Sequence, residues 1–468
     1  MTHPDLRNRP STRPVHLDRP TRRDFGDLIQ LAIPLVAVQV GLMLMGIVDT
    51  IMVGRVSAPA LAAVAVANVY FFLIICVGMG IIYSLDPIVS QAVGAGDQLA
   101  ITRGVQRGQV LALLVTIPSA LMFLLTGPVL RRFGLAPEIV QLALAYMKWT
   151  WPGVLPYFGF LAARQVLQAI GRVRALVVVI VVANVINLVL DWALIFGHLG
   201  LPKLGVIGSA IATTVGRWAM WALLIAAAWR VIGPRLVPWR ADSLAPAPLG
   251  RMLWLGFPIG LQILLEYGVF GLVGLLLGRI GVEAVAGHQI ALNLAALAFM
   301  VALGIGAAAG VLVGRSIGAG DPHGARRAAA AALATGAVVM AAGATTFLLL
   351  PRALGAVYTN DPGVLAVAAA LIPLAGIFQI FDGTQAIACG VLRGAGDTRV
   401  PMLLNAFGYW VVGLPVCLWL GFKLDRGPVG FWWGLVLGLV VAAVTLLIRV
   451  RSRLWKSLQR VTIDAPGA

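Results

Sequence analysis

The sequence predicts an all-α polytopic membrane protein, with twelve transmembrane helices in two six-helix lobes related by a pseudo-two-fold axis along the membrane normal. Three observations carry this prediction. The 468 residues are 60% hydrophobic and 11% charged, with a mean hydropathy of +0.95, whereas ordinary soluble domains carry about a quarter of their residues charged. Apolar runs of roughly 20 residues, enough to cross a bilayer, recur along the whole chain with only short polar breaks. The two halves of the chain also repeat one another at a fixed offset.

Taken in order, residues 1–24 are polar and rich in Pro and Arg, and read as a disordered cytoplasmic tail with no signal peptide. The first span then serves as an uncleaved anchor. Apolar runs follow near 27–53, 59–90, 104–126, 137–163, 175–196 and 206–230, making an N-terminal lobe over 25–230. Residues 231–250 carry four prolines and lose periodicity, which marks a cytoplasmic linker. Runs near 252–277, 283–314, 328–350, 363–389, 398–422 and 428–448 make a C-terminal lobe over 251–450, and 451–468 reads as a second cytoplasmic tail.

The repeat is explicit at an offset of 224: Leu31/Leu255, Pro34/Pro258, Gly54/Gly278, Arg55/Arg279, Gly80/Gly304, and Gly94-Ala-Gly-Asp97 against Gly318-Ala-Gly-Asp321. Six spans per half is an even number, so both halves enter the membrane from the same side and form a parallel repeat with a cavity between lobes. The Gly-Ala-Gly-Asp segments follow long apolar runs rather than strands, and read as short turns that end helices. Lys and Arg set the orientation. Arg103, Arg107, Arg172, Arg174, Arg230, Arg235, Arg315, Arg326, Arg327 and both tails gather on one face, so both termini are expected in the cytoplasm.

Several function classes are excluded. The formal charge of +17 is scattered through loops and tails between spans, which suits lipid headgroups and topology rather than nucleic acid. Cys76, Cys389 and Cys417 lie in apolar surroundings with no ligand-like spacing and read as packing residues. No Walker loop, paired zinc histidines or nucleophile with a base is present, so the chain is not expected to be an enzyme or to bind a cofactor. His288 reads as a core histidine, and Trp149, Trp151 and Trp410 as interfacial anchors.

Charged residues inside the spans are costly and mark function by default. Five carboxylates fall there: Asp49, Asp86, Asp191, Glu266 and Asp382. The candidate buried cations are Arg164 and Arg217, while Lys148 is expected to snorkel to an interface. An acidic interior favours cations, whether protons, metal ions or organic cations. Asn187 and Asp191 are four apart on one helix face, and with Asp49, Thr213 and Thr214 they define a candidate N-lobe cluster. The C-lobe set is Glu266, Gln289, Asn293 and Asp382, with Gln379 and Gln385 flanking the last. Through the repeat, Asp49 maps to Val273 and Glu266 to Leu42, so the two acidic sites are not copies. Asp86, before Pro87, reads first as a structural residue.

Residues 47–57 (Ile-Val-Asp-Thr-Ile-Met-Val-Gly-Arg-Val-Ser), Ser90-Gln-Ala-Val-Gly-Ala-Gly-Asp97, Gly256-Phe-Pro-Ile259, His288-Gln-Ile-Ala-Leu-Asn293 and Cys389-Gly-Val-Leu-Arg-Gly-Ala-Gly-Asp397 stand in order. Together they resemble the multidrug and toxic compound extrusion family, and Glu266 with Asp382 resembles its NorM branch. The resemblance covers about residues 25 to 450. It implies export of small cationic, lipophilic, drug-like compounds in exchange for sodium ions or protons. It makes Asp49, Asn187, Asp191 and Thr213 an N-lobe ion or substrate site, and Glu266, Gln289, Asn293 and Asp382 a C-lobe one in which Glu266 and Asp382 are possible sodium ligands. Phe378 stands where some NorM relatives place a Tyr, which removes one oxygen ligand. The expected partners are the lipid bilayer and the substrates, with no nucleic acid, and the expected setting is the bacterial inner membrane as a monomer. A lipid-linked precursor flippase of the same broad superfamily and a major-facilitator-type carrier are the alternatives. The first would need basic cavity residues, and the second a basic Gly-x-x-x-Asp-Arg-type loop absent after the second span.

Overall fold

The computed structural model describes residues 18–132, 134 and 136–464, and every regular element in them is helical. The N-lobe comprises α1 (Arg22–Gly54), α2 (Ala58–Gly94), α3 (Gln98–Leu124), α4, α5 (Arg174–Phe196) and α6 (Val206–Ala227). The C-lobe comprises α7 (Pro246–Leu277), α8 (Val282–Gly318), α9 (Pro322–Leu349), α10 (Pro362–Gly394), α11 (Arg399–Lys423) and α12 (Gly427–Leu454). Eleven of these are long and apolar enough to cross a membrane. The twelfth, α4, runs in two pieces, Pro137–Thr150 and Val154–Ile170, because Pro152 in the Trp-Pro-Gly turn removes a backbone donor and its ring excludes the preceding carbonyl. The chain is thus a twelve-helix, two-lobe membrane protein.

Local sequence explains the helix starts. Thr21 and Asp24 form a reciprocal capping box at α1. The repeated Gly-Ala-Gly-Asp turn works identically in both lobes. Gly96 and Gly320 take φ of +67° and +69°, a left-handed backbone that favours glycine. The following aspartates then cap the next helix, Asp97 accepting from Ala100 N at 2.9 Å and Asp321 from Gly324 N at 2.8 Å.

The lobes meet along two equivalent seams, α1 against α8 and α7 against α2. Here the repeat becomes spatial. Gly80 abuts the backbone of Gly260, and its repeat mate Gly304 abuts Val36, the mate of Gly260. At the end of the bundle that carries Asp18 and Asp464, the ends of the described chain, Gly94 abuts the Arg315 carbonyl and Gly318 abuts the Gln91 carbonyl, again mates at the same offset. A side chain at any of these glycines would strike backbone, so the helices cross at the smallest separation the chain permits. Further ties lie in the same half: Arg393 to Asp86 at 3.3 Å, Gln91 Nε2 to the Gly394 carbonyl at 2.9 Å, and Arg315 to the Ala169 carbonyl at 2.7 Å. Toward the opposite end, Phe72 and Tyr267 bridge α2 and α7 at 4.5 Å between ring centroids.

The segments expected as tails and linker are placed differently from that expectation. Residues 1–17 of the expected first tail lie outside the described residues. Asp18, however, binds His323 at 2.6 Å and Arg326 at 3.1 Å on the C-lobe. The chain beyond α12 crosses the other way: Arg460 reaches Asp97 at 2.9 Å, Val461 N donates to Gln91 at 2.7 Å, and Asp464 holds Arg107 at 2.7 Å and Arg103 at 3.3 Å. The linker stretch contains a short helix, Trp229–Leu236, and a 3-10 turn, Ala241–Leu244, before α7 begins at Pro246. Its Asp242 binds Arg103 at 2.6 Å. Each end of the described chain therefore docks on the lobe to which it does not belong.

Candidate functional site

In the N-lobe, α1, α5 and α6 bring the flagged residues together. Asp49 is 4% exposed and Asp191 is fully buried. The single amide nitrogen of Asn187 donates to both, at 2.5 Å to Asp49 Oδ1 and 2.7 Å to Asp191 Oδ2. The Thr213 hydroxyl stands 3.1 Å from Asp49 Oδ2 and 2.9 Å from the Ser209 carbonyl, so one proton serves two acceptors. Gly216, three residues on, leaves room for Asn187: a Cβ there would lie 3.2 Å from Asn187 Oδ1. Thr214 turns away and donates to the Trp149 carbonyl at 2.6 Å.

The cluster is polar, buried and incompletely satisfied. Asp191 Oδ1, Asn187 Oδ1 and Ser209 Oγ are buried without hydrogen-bond partners. Two carboxylates bound to one nitrogen repel each other strongly in a low-dielectric interior, and a proton or cation lodged beside them relieves that repulsion. Orphaned oxygens around them are what a hard cation would take as ligands. Tyr146, whose hydroxyl is 3.4 Å from Asn68 Oδ1, closes one side.

The C-lobe set is only partly assembled. Glu266 on α7 and Asp382 on α10 are near enough to interact as charges, with the buried Tyr409 of α11 beside both. Gln289 is exposed and Asn293 half-buried, and neither hydrogen-bonds to Glu266 or Asp382. Asp382 Oδ1, Gln385 Oε1, Asn405 Oδ1 and the Tyr409 hydroxyl are buried without partners. The amides of Gln262, Gln385 and Asn405 converge on Cys389 Sγ at 3.4, 3.9 and 3.5 Å. Phe378 packs between Phe270 and Trp432, at 5.8 and 5.7 Å between centroids, so it belongs to the aromatic core.

The other flagged residues have structural partners. Asp86 accepts from Gln165 at 2.6 Å and pairs with Arg393 across the lobes. Arg164 donates to Gln39 at 2.7 Å. His288 accepts from Trp432 Nε1 at 3.2 Å in the core. Sequence reasoning passed over Ser209, Gln262, Asn405 and Tyr409, and read Cys389 as a packing residue. Helical spacing could have found them: Ser209 precedes Thr213 by four, Gln262 precedes Glu266 by four, Cys389 follows Gln385 by four, and Asn405 and Tyr409 are four apart. A groove of about 620 Å³ lies at the end of α9, lined by Leu349, Leu350, Arg352, Ala366 and Ala370, and contains none of these acids.

The geometry agrees with what similarity shows. The MatE family matches residues 34–193 and 258–419, stretches that begin at Pro34 and Pro258, the 224-residue offset of the repeat. The chain is 37% identical over 461 residues to the probable multidrug resistance protein NorM of Rhizobium meliloti (strain 1021), spanning 95% of this chain and 96% of that protein. It is 36% identical over 445 residues to the multidrug resistance protein PmpM of Pseudomonas aeruginosa, spanning 92% and 91%. The crystal structure of the eukaryotic MATE transporter AtDTX14 matches with a TM-score of 0.85 at 25% identity, over 92% of this chain and 96% of that one. With its two six-helix lobes, its repeat and its paired acidic pockets, the chain belongs to the MatE family, that of multidrug and toxic compound extrusion.

Proposed function

We propose that the protein is a multidrug efflux antiporter that exports cationic, lipophilic compounds in exchange for sodium ions or protons by alternating access. The relatives named for multidrug resistance support efflux of drugs. The observation that carries the cation reading is the pair of carboxylates, Asp49 and Asp191, buried around one Asn187 nitrogen, with orphaned oxygens beside them. Both termini are assigned to the cytoplasm from the distribution of Arg, which makes the half where the lobes meet the inner one. In an outward-open state of the cycle, a proton or sodium ion entering from outside neutralises an acid and weakens its hold on a cationic drug, which leaves. The lobes then rock to release the ion inside. The protein works as a monomer in the bacterial inner membrane, and its only other requirement is the coupling ion.

Transport of ethidium or norfloxacin in vesicles, under separately imposed sodium and proton gradients, tests the proposal. One gradient should drive efflux, and Asp49→Asn and Glu266→Gln should each reduce it at least tenfold at normal expression. Full ion-driven efflux by both variants, or transport indifferent to both gradients, would sink it.

A further inference from the structure

Arg217 is the one charged side chain of the N-lobe pocket to which nothing above gives a task. On α6 it follows Ser209 and Thr213 at steps of four, so it shares the face that holds Asp49. Its guanidinium lies 4.1 Å from the Phe71 ring centroid and 5.5 Å from that of Tyr157. Gly153 in the α4 turn makes room for it: a Cβ there would sit 3.1 Å from Arg217 Cδ. Nη1 is buried without a hydrogen-bond partner, and no carboxylate among the described residues lies within ion-pair distance. Its polar neighbours are the Tyr146 and Tyr157 hydroxyls of α4 and then, weaker in effect, the Asp49 carboxylate. Asp191 stands beyond Asn187 on α5.

An unpaired guanidinium inside a membrane protein is expensive. Aromatic faces offset part of that cost, and they do so without consuming a carboxylate. The consequence is electrostatic. With both acids ionised, Asp49, Asp191 and Arg217 together carry a single net negative charge, and one monovalent cation completes the balance. Were Arg217 instead paired directly with Asp49, that acid would be lost to ion binding. Parked on Phe71 and Tyr157, it makes the potential of the pocket less negative while leaving both carboxylates open.

We propose that Arg217 is the fixed counter-charge of the N-lobe site, held on an aromatic seat so that the pocket takes one monovalent cation and releases it readily. This rests on the cation reading of the pocket given above, and it concerns a residue that acts through Asp49 and Asp191 rather than by touching the ion. The test is equilibrium binding of sodium and of tetraphenylphosphonium to the purified full-length protein, measured by calorimetry. Arg217→Gln should tighten binding of at least one probe by about tenfold or more, the scale expected of one extra unit charge in such a pocket. Arg217→Lys should stay within about threefold of the native protein. Asp49→Asn combined with Arg217→Gln restores the net charge and should return the affinity toward the native value, which a merely structural arginine would not do. Unchanged binding in Arg217→Gln, equal behaviour of the Gln and Lys variants, or no cation binding at all overturns the inference. Gradient-driven export is measured on the same preparations. Native protein that binds cations with this charge dependence yet shows no ion-driven export would overturn the antiport reading and leave the counter-charge intact.

Discussion

At the scale of single residues, Asn187 is the keystone of the N-lobe pocket, because its one amide nitrogen holds two carboxylates at once. A hydrogen bond to a charged group contributes about 1.5–3 kcal/mol. Asn187→Ala is therefore expected to lower the unfolding midpoint in detergent and to reduce export at least tenfold. A variant with native stability and native export would show that the amide is dispensable. Asp49, Asn187, Asp191 and Thr213 were legible in the sequence because a charge in an apolar run is conspicuous and helical spacing of four puts neighbours on one face. Gln289 and Asn293 satisfied the same spacing rule. They nevertheless make no hydrogen bond to Glu266 or Asp382, since spacing fixes which residues share a face and not which neighbour that face meets. Gln385 of α10 stands beside Glu266 instead, and Tyr409 of α11 beside both acids. Nothing local in the sequence announces that α7, α10 and α11 converge.

Among helices, the decisive feature is the glycine seam. Gly80 and Gly260 bring α2 and α7 into backbone contact, and Gly304 does the same for α8 against α1. Gly80→Leu is expected to cost export and thermal stability together. Gly46→Leu on α1 should be nearly silent, because a Cβ there meets nothing within 4 Å. Equal effects of the two substitutions, measured as unfolding midpoints and transport rates, would refute a tight seam. Helix positions were readable from hydropathy, and the repeat carried the pairing of elements between lobes. Three departures from regular helix were not: the 3-10 interruption at Trp151–Gly153, the π-helical stretches Phe407–Gly413 and Trp419–Lys423, and the turn at Tyr83–Ser84 within α2. Pro152 gives a reason for the first. The π stretches depend on how α11 packs against α12, where Gly408 and Gly413 meet Gly438, a tertiary condition that no window of the sequence contains.

For the whole molecule, the exchange of chain ends between lobes is the largest departure from the sequence reading. Polar, Arg-rich segments after an apolar helix look like free tails, because their partners lie hundreds of residues away in the chain. Asp464 on Arg107, Arg460 on Asp97 and Asp18 on Arg326 tie the lobes at the end bearing the termini. Arg107→Ala with Asp464→Asn should loosen that end. Spin labels at Leu99 and Ala319 should report longer distances than in the native protein, and an unchanged distance distribution would exclude a clasp. Acid should act similarly, but only at low pH. The Arg240 and Arg103 guanidiniums bring the Asp242 carboxyl from 3.8 down to about 2, and the Ala100 amide and then Arg460 lower that of Asp97. A depressed carboxyl stabilises the folded contact above its unfolded value and loses that contribution as pH falls through the folded one. Exchange protection of residues 241–244 is accordingly expected to hold at neutral pH and to fall away between about pH 4 and pH 2. Loss of protection near pH 6 would show that these pairs do not hold the linker.

The glycine contact at Gly80 also divides α2 into unequal arms. Ala58 lies 22 residues to one side and Gly94 14 residues to the other, or roughly 33 Å and 21 Å at about 1.5 Å per residue. If the lobes rock about that point, a given rotation opens the two mouths by different amounts, like scissors pivoted off centre. A turn of about 15° would part the arms by roughly 9 Å at the far mouth and 5–6 Å at the mouth beside the termini. If the termini also lie in the cytoplasm, as proposed above, the narrow aperture would be the loading side and the wide one the discharge side. Such a machine would screen cargo by width as it enters and set no comparable restriction on its departure.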